Sequence, residues 1–275
     1  MRETSDIQAM AVFCDFENLA IGARDAKYAK FDISKVLERL LLKGNIIVKK
    51  AYCDWERYKA FKKPMHEAAF ELIEIPHVRQ SGKNSADIRM VVDALDLCYT
   101  KSHVDAFVII SGDSDFSPLV SKLRENDKLV IGVGVKHSTS DLFIDNCDEF
   151  IFYDDLVRKA PARRRRRAGG GGAKASAGAK TKEPEASVDE APEPSSDEAI
   201  ALVVETFEAL LTERGAEDLI WGSMIKQALK RRKPGFTETY YGYRSFSELL
   251  EEARDQGRIT LERDQKSGGY VVRAP

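Results

Sequence analysis

The sequence has few cysteines and histidines, and it has no long apolar segment. Its four cysteines, Cys14, Cys53, Cys98 and Cys147, lie far apart, with no CxxC pair and no neighbouring histidine. This spacing argues against a zinc site or a disulfide framework and indicates reduced, buried thiols in a cytoplasmic protein. No stretch approaches the ~18 uninterrupted apolar residues of a membrane span, and the first residues lack the apolar core of a signal peptide. We therefore expect neither export nor insertion into a membrane.

The chain also lacks a large net charge of either sign. It has 43 Lys and Arg residues against 45 Asp and Glu residues, which gives a formal net charge of -2. Such a balance provides no global attraction to nucleic acids or to anionic membranes, so any such attraction has to be local. The length of 275 residues is typical of two domains.

Short β-branched segments alternate with longer helical patterns between about residues 10 and 155. This alternation predicts a parallel α/β sheet. The helical pattern after the first strand begins with Asp32 as N-cap and stops at Gly44, whereas a second pattern is interrupted at Pro64. The predicted strands are MAVFCD, NIIVKKAY, FELIEIP, AFVIIS, KLVIGVGV and EFIFY.

The composition changes beyond residue 157. Residues 157–197 contain glycine, alanine, proline and charges with almost no large apolar residue, which predicts a flexible linker. The linker is basic first, with five arginines at 163–167, and acidic from Glu183 onward. The arginines are either a weak electrostatic contact to RNA or simply a solubilising charge.

A second patterned region follows the linker. Three amphipathic helices are predicted, one of them ending at Gly215 and another starting with a capping box formed by Ser245 and Glu248. Two short strands close the chain through a turn at residues 267–269. Three helices and a hairpin predict a small winged-helix-like module.

Aspartates follow the predicted strands of the first region. Asp15 ends the first strand, Asp113 and Asp115 follow the fourth, and Asp87 lies near the start of a helix. Functional groups in a doubly wound sheet gather at the carboxyl ends of strands where the strand order reverses. If the first and fourth strands flank that point, Asp15 and Asp113 lie side by side. Carboxylates held together repel one another unless a cation neutralises them, and Mg²⁺ or Mn²⁺ would do so and activate water for phosphodiester cleavage.

Simpler interpretations compete at two of the acidic positions. Asp115 is equally explained as a helix cap, and Asp93 as part of a solvated helix face. Two other acidic sites do not fit the spacing. A phosphatase of the haloacid dehalogenase type needs an aspartate where this chain has Glu17, and a response-regulator receiver would have its paired acids on the first strand.

The segments FCDFEN, KNSADIRMVVDAL and VIISGDSDFSPLV resemble the NYN domain family, a branch of the PIN-like nucleases that includes the LabA-like proteins. The resemblance covers residues 8–156. It implies a PIN-like parallel-sheet sandwich, dependence on Mg²⁺ or Mn²⁺, and cleavage of RNA. By position, it implies that the metal ligands are Asp15, Asp87, Asp113 and Asp115.

Three further residues are candidates by the same resemblance. Asn18 could donate its amide to a phosphate, or it could cap a turn or helix. Lys83 could meet the scissile phosphate, or it could be an exposed loop lysine. Ser111 is the small hydroxyl beside the acidic pair. Together with the four aspartates, Asn18 completes the predicted catalytic set.

Residues 198–273 resemble the LOTUS domain, also called OST-HTH, most specifically in YGYRSFSELLE and GGYVV. Such modules are winged-helix-like and are associated with RNA binding, and their pairing with an NYN domain is typical of bacterial proteins. Basic and aromatic residues alternate in this region, although several aromatics are equally explained as core residues. The predicted RNA-binding residues are Lys83, Lys230, Arg231, Arg232, Lys233 and Tyr241.

Together these features predict a cytoplasmic, metal-dependent ribonuclease that its C-terminal module recruits to RNA. Two alternatives stay open. The protein could be an RNA-binding regulator whose acidic pocket is weakly active or inactive, or an adaptor whose C-terminal module binds another protein. The sequence leaves the oligomeric state open.

Overall fold

A computed structural model describes residues 7–26, 31–75, 85–157, 195–214, 219–264 and 268–275. Lys83 and the turn residue Ser267 lie outside these ranges, and so do residues 158–194 of the predicted linker. Within them, no helix is long and apolar enough to cross a membrane. All four cysteines are free and buried, as the sequence predicts.

The N-terminal part forms an α/β fold around a six-stranded parallel sheet, which confirms the predicted class. The strands are β1 (Ala9–Asp15), β2 (Asn45–Cys53), β3 (Glu71–Glu74), β4 (Ala106–Ile110), β5 (Leu129–Gly134) and β6 (Glu149–Phe152). Their spatial order is β3-β2-β1-β4-β5-β6. The chain runs outward in one direction from β1 and then returns to start again at β4. The strand order therefore reverses between β1 and β4, as the site prediction required.

Helices cover both faces of this sheet. They are α1 (Phe16–Asp25), α2 (Ile33–Leu41), α3 (Lys59–Glu67), α4 (Ser85–Thr100), α5 (Ser117–Glu125), α6 (Asp141–Asn146) and α7 (Tyr153–Val157). Alternate residues of β1 serve the two faces: Val12 and Cys14 pack with α1 and α2, whereas Ala11 and Phe13 pack with α4 and α5. The result is a three-layer sandwich with two apolar cores.

Several helix predictions were incomplete. The interruption expected at Pro64 does not occur, because α3 runs through it and ends three residues later. Since Pro64 lies past the first turn, it removes one backbone donor, and so short a helix accommodates this. The helix predicted to stop at Gly44 ends at Leu41. Helices α1, α6 and α7 were not predicted; α6 and α7 span only six and five residues, too few for a clear apolar period.

The C-terminal residues form a second core of helices and an antiparallel sheet. Its elements are α8 (Ser196–Arg214), β7 (Ile220–Trp221), α9 (Gly222–Arg232), α10 (Phe246–Asp255), β8 (Thr260–Arg263) and β9 (Tyr270–Arg273), with strand order β7-β9-β8. Ser245 caps α10 as predicted, because its Oγ accepts from the Glu248 backbone amide at 3.2 Å, while the Glu248 carboxylate accepts from the Arg244 backbone amide at 2.7 Å in place of the Ser245 amide of a full capping box. Strand β7 was wrongly predicted as helix. Its two residues pair with β9, a partner distant in sequence.

The segment that follows α9 contacts the edge of the large sheet. Phe150 N of β6 donates to the Pro234 carbonyl at 3.1 Å. Thr237 Oγ1 donates to Asp155 at 3.1 Å, and the Lys136 amine lies 3.1 Å from the Tyr240 ring centroid. The Pro234 carbonyl thus satisfies a backbone donor of an edge strand that would otherwise face solvent.

Candidate functional site

Asp15 occupies the junction between β1 and α1. It is the N-cap of α1, and its Oδ1 accepts from the backbone amide of Asn18 at 3.3 Å. Its Oδ2 accepts from Ser111 Oγ at 3.0 Å. Only 8% of Asp15 is exposed. The last residue of the central strand is therefore a nearly buried carboxylate held in one orientation by two hydrogen bonds.

The turn after β4 lies directly beside Asp15. Ser111 donates to Asp15, and its Oγ also accepts from the Asp113 amide at 3.2 Å. Gly112 N donates to Asn18 Oδ1 at 2.9 Å. A β-carbon at Gly112 would lie 2.3 Å from the Ser138 carbonyl oxygen, so only glycine fits at this position. Asn18 Oδ1 is thereby used within the fold, and Nδ2 is its atom suited to donate to a phosphate.

The two acids of the SGDSDF turn have different roles. Asp113 caps the 3-10 turn at 114–116, because its Oδ1 accepts from the Asp115 amide at 2.9 Å. Asp115 is exposed, and α5 starts after Phe116 with no side-chain cap. The interpretation of Asp115 as a helix cap is therefore wrong, and Asp113 is the capping residue. The contact beside Asp15 is made by Ser111, with Asp113 two residues farther on.

Asp87 approaches this junction from the first turn of α4. Burial and then the charges of Asp113, Asp115 and Glu17 raise the pKa of Asp87 to about 6. Burial and then the charge of Asp87 raise the pKa of Asp15 to about 7, although its bonds from Asn18 and Ser111 oppose this. The structure thus gathers the predicted aspartates into one electrostatically coupled group, which we call the acidic cluster: Asp15, Asp87, Asp113 and Asp115.

Glu17 is a neighbour of the acidic cluster that the sequence analysis did not assign to it. It lies in the first turn of α1, acts on the pKa of both Asp15 and Asp87, and forms an ion pair with Arg57 at 3.1 Å. Recognising DFEN as the start of a helix would have placed Glu17 at the carboxyl end of β1. The missed helix α1 is the reason it was overlooked.

Asp93 belongs to a different set of contacts. It accepts from Tyr52 Oη at 2.8 Å and pairs with Lys50 at 3.4 Å and Arg89 at 3.1 Å. Its side chain is only 12% exposed, so the expectation of a solvated helix face is wrong. Burial and the Asp93 carboxylate raise the pKa of Tyr52 well above its ordinary value. Asp93 therefore ties α4 to β2.

The donor set suits a hydrated hard cation. Among the described residues, no three His, Cys, Asp or Glu side chains are placed to hold a metal ion together. Mg²⁺ and Mn²⁺ accept carboxylate oxygens and often keep several waters while using only one or two protein ligands. Burial, followed by repulsion from neighbouring carboxylates, raises the pKa values of the nearly buried Asp15 and the half-buried Asp87. A divalent cation is the kind of charge that would offset this repulsion.

The predicted RNA-binding residues of the C-terminal part do not share one environment. Lys230 is half-buried near Lys43 and Glu149 of the N-terminal part, and burial lowers the pKa of its amine. Arg232 pairs with Glu205 and donates to Thr206. Arg231 and Lys233 are exposed. Three of the four predicted basic residues of this part, Arg231, Arg232 and Lys233, are therefore exposed, and Arg232 among them is ion-paired.

Tyr241 lies against the C-terminal core. Its ring stacks on Phe236 with centroids 5.4 Å apart and meets Tyr240 edge-on at 4.9 Å. Burial raises the pKa of Tyr241 to about 12. Its ring is therefore already partly used in packing, and only its remaining surface could stack on a base.

Comparison with known proteins identifies the N-terminal part. Residues 9–154 match the sequence profile of the NYN domain. The solved structures that resemble the chain include a protein of unknown function from Vibrio parahaemolyticus RIMD 2210633, with 26% sequence identity and a TM-score of 0.48 over 57% of this chain and 98% of that one. No significant match was found among curated proteins.

Proposed function

Because the chain belongs to the NYN domain family, whose members are generally nucleases, we propose that it is a metal-dependent ribonuclease that cleaves RNA phosphodiester bonds at the acidic cluster. The observation that carries this proposal is the gathering of coupled carboxylates between β1 and β4, with Asp15 and Asp87 both raised in pKa. Such clustering of perturbed acids at a strand-order reversal is typical of functional sites.

The protein's own residues have distinct roles in this proposal. Asp15, Asp87, Asp113 and Asp115 would hold Mg²⁺ or Mn²⁺, some of them through water. The bound ion would polarise the attacking water and neutralise charge that develops on the phosphate. Ser111 orients Asp15, and the Gly112 amide fixes Asn18 so that its Nδ2 can donate to the substrate phosphate.

We propose further that residues 198–273 are a LOTUS-like module that recruits RNA. The arrangement of helices and antiparallel strands in this part agrees with the winged-helix-like expectation, and Arg231 and Lys233 are exposed for phosphate contacts. Lys83 keeps its predicted phosphate role as a proposal, since it lies outside the described residues.

The decisive test is a time course on radiolabelled RNA with the full-length protein in Mg²⁺, Mn²⁺ or chelator. The wild type should cut only with metal, and Asp113→Asn should cut about 100-fold more slowly or less, by analogy with the roughly 10²–10³-fold loss when one preorganised electrostatic group of an active site is removed. An Asp113→Asn protein that retained the metal-dependent wild-type rate would refute the proposal. Absence of Mn²⁺-dependent cleavage at high enzyme concentration would favour the alternative, an RNA-binding regulator with an inactive pocket.

A further inference from the structure

We propose that residues 234–240 bind the C-terminal part to the edge of the large sheet as one rigid unit with the N-terminal part, and that this contact holds the turn beside Asp15 in place. We call residues 234–240 the docking segment. The docking goes beyond the proposed function, because it is a property of the fold whether or not RNA is cleaved. Its catalytic consequence, a positioning role for Tyr240, rests on the nuclease function proposed above.

The docking segment covers the edge strand β6. Phe150 N donates to the Pro234 carbonyl at 3.1 Å, and Pro234 is buried. A β-carbon on Gly235 would lie 3.0 Å from Phe152 Cε2, so the backbone at Gly235 lies directly against that ring. The contacts advance in the same direction along both segments, as they do when an added strand covers a sheet edge.

Polar and aromatic contacts continue beyond the end of β6. Thr237 Oγ1 donates to Asp155 at 3.1 Å, and the Lys136 amine lies 3.1 Å from the Tyr240 ring centroid. A cation so close to an aromatic face is attracted to it, and more strongly where water is excluded. The docking segment therefore contacts two separate loops of the N-terminal part, after β5 and after β6.

The end of α9 meets the start of β6. Lys230 is half-buried there, and burial lowers the pKa of its amine while the charge of Glu149 opposes this. Glu149 is nearly buried and forms an ion pair with Lys43 at 2.7 Å. Lysines are seldom buried without an opposite charge nearby. The burial of Lys230 beside Glu149 thus indicates that the two parts are packed together at this point as well.

One loop joins the docking segment to the acidic cluster. Residues 135–140, which we call the bridging loop, connect β5 to α6 and include Lys136. At the other end of this loop, Ser140 N donates to the Gly112 carbonyl at 2.9 Å. A β-carbon on Gly112 would lie 2.3 Å from the Ser138 carbonyl oxygen, so loop and turn are in close contact. A shift of the bridging loop would therefore move the turn that orients Asp15.

Tyr240 is accordingly a positioning residue. It acts on the acidic cluster through Lys136 and the bridging loop, without contacting the reacting atoms. Misplacing an active-site group by about 1 Å can cost up to ~10²-fold in rate. We expect loss of the Tyr240 ring to lower kcat about tenfold and to change KM much less, since the substrate-binding groups are all retained.

The docking is tested by ¹⁵N relaxation of the full-length chain. In the wild type, the amides of both parts should give one rotational correlation time. In the double variant Gly235→Val/Tyr240→Leu, the C-terminal amides should give a shorter one, because the valine crowds the Phe152 ring and the cation–π contact is lost. Thr239→Val is the matched control, since Thr239 is exposed within the same segment, and it should behave as the wild type. A dispersed amide spectrum verifies that each variant is folded.

The positioning role is tested by comparing two substitutions of one residue. Tyr240→Leu should shift the Gly112 amide resonance of the metal-free protein and lower kcat in Mn²⁺. Tyr240→Phe keeps the ring and should restore both to wild-type values. Lys136→Met should lower kcat as Tyr240→Leu does, and combining the two should lower it no further, because both remove one contact.

Different outcomes overturn the two halves of the proposal. Two correlation times in the wild type, or a solution mass of two copies, would overturn docking within one chain. An unchanged Gly112 amide in Tyr240→Leu would overturn the positioning role, and so would a loss of kcat in Lys136→Met alone, which would assign Lys136 to RNA instead. If the wild type cleaves no RNA, the nuclease proposal fails. Docking and positioning are then decided by the relaxation data and the Gly112 amide.

Discussion

Replacing Asp15 with asparagine should stabilise the metal-free protein at alkaline pH and remove its response to metal. The asparagine can keep the bond from the Asn18 backbone amide at its Oδ1, and its Nδ2 can donate to Ser111 Oγ, but the Ser111 hydroxyl hydrogen then loses its acceptor, which offsets part of the gain. The larger change is the loss of charge at a side chain that is 8% exposed.

The magnitude follows from the pKa of Asp15. Burial and Asp87 raise it from 3.8 to about 7, a difference of about three pKa units, which at ~1.4 kcal/mol each amounts to about 4 kcal/mol. The folded state binds this proton more tightly than the unfolded state. Relative to a neutral side chain, Asp15 costs no stability below pH 3.8, loses stability progressively as the pH rises towards 7, and carries its full penalty above that.

We therefore expect Asp15→Asn to raise the free energy of unfolding in chelator by up to about 4 kcal/mol at pH 8 and by little near pH 4. The assay is urea unfolding of wild type and variant across this pH range. With Mn²⁺ present, the wild type should gain stability increasingly above pH 7, because the metal replaces the proton, whereas Asp15→Asn should gain much less.

Asp32→Asn provides the matched control. Asp32 is also a helix N-cap, accepting from the Ser34 amide at 3.0 Å, but it is exposed and is not among the charges that act on Asp15. It should show neither the stabilisation at pH 8 nor a loss of the Mn²⁺ response. The reasoning is refuted if Asp15→Asn destabilises the metal-free protein equally at all pH values, or if Mn²⁺ stabilises it as much as the wild type.

Two further predictions concern the turn after β4 and the basic segment. Gly112→Ala should lower the free energy of unfolding by about 1–3 kcal/mol and reduce cleavage, because the new methyl would lie 2.3 Å from the Ser138 carbonyl oxygen. An unchanged melting temperature in thermal unfolding would contradict this close approach. Replacing both Arg231 and Lys233 by alanine should weaken RNA binding and reduce the slope of log K against log salt concentration by about 1–2. Arg232→Ala removes an ion-paired side chain and should change that slope less. The opposite ranking in filter-binding titrations would disprove this assignment of the basic residues.

Much of the first core followed from local sequence pattern. Continuous apolar segments such as Ala106–Ile110 identified strands buried on both faces, and all six predicted strands are present in one parallel sheet. Asp32 and Ser245 cap the helices as predicted, because capping depends on residues only two or three positions apart. The short helices and the two-residue strand β7 escaped prediction because neighbouring elements, more than their own pattern, hold them in place.

The candidate site was only partly predictable. The order of the acids along the chain pointed to Asp15, Asp87, Asp113 and Asp115, but it could not assign the cap to Asp113 or include Glu17 in the electrostatic group. The hydrogen bond from Ser111 to Asp15 joins residues 96 positions apart, and no local pattern specifies it. Likewise, Lys230 looks like an exposed basic residue in the sequence, yet it lies half-buried against the N-terminal part.

The sequence by itself therefore determined the strands, the main helices and the chemical character of the site. The spacing of apolar residues and the capping of helices depend only on residues a few positions apart. The tertiary structure alone decided which strand order brings Asp15 to the SGD turn, how strongly burial and Asp87 raise its pKa, and which basic residues stay exposed. Burial and charge coupling depend on distances between atoms that are remote along the chain, and only folding sets those distances.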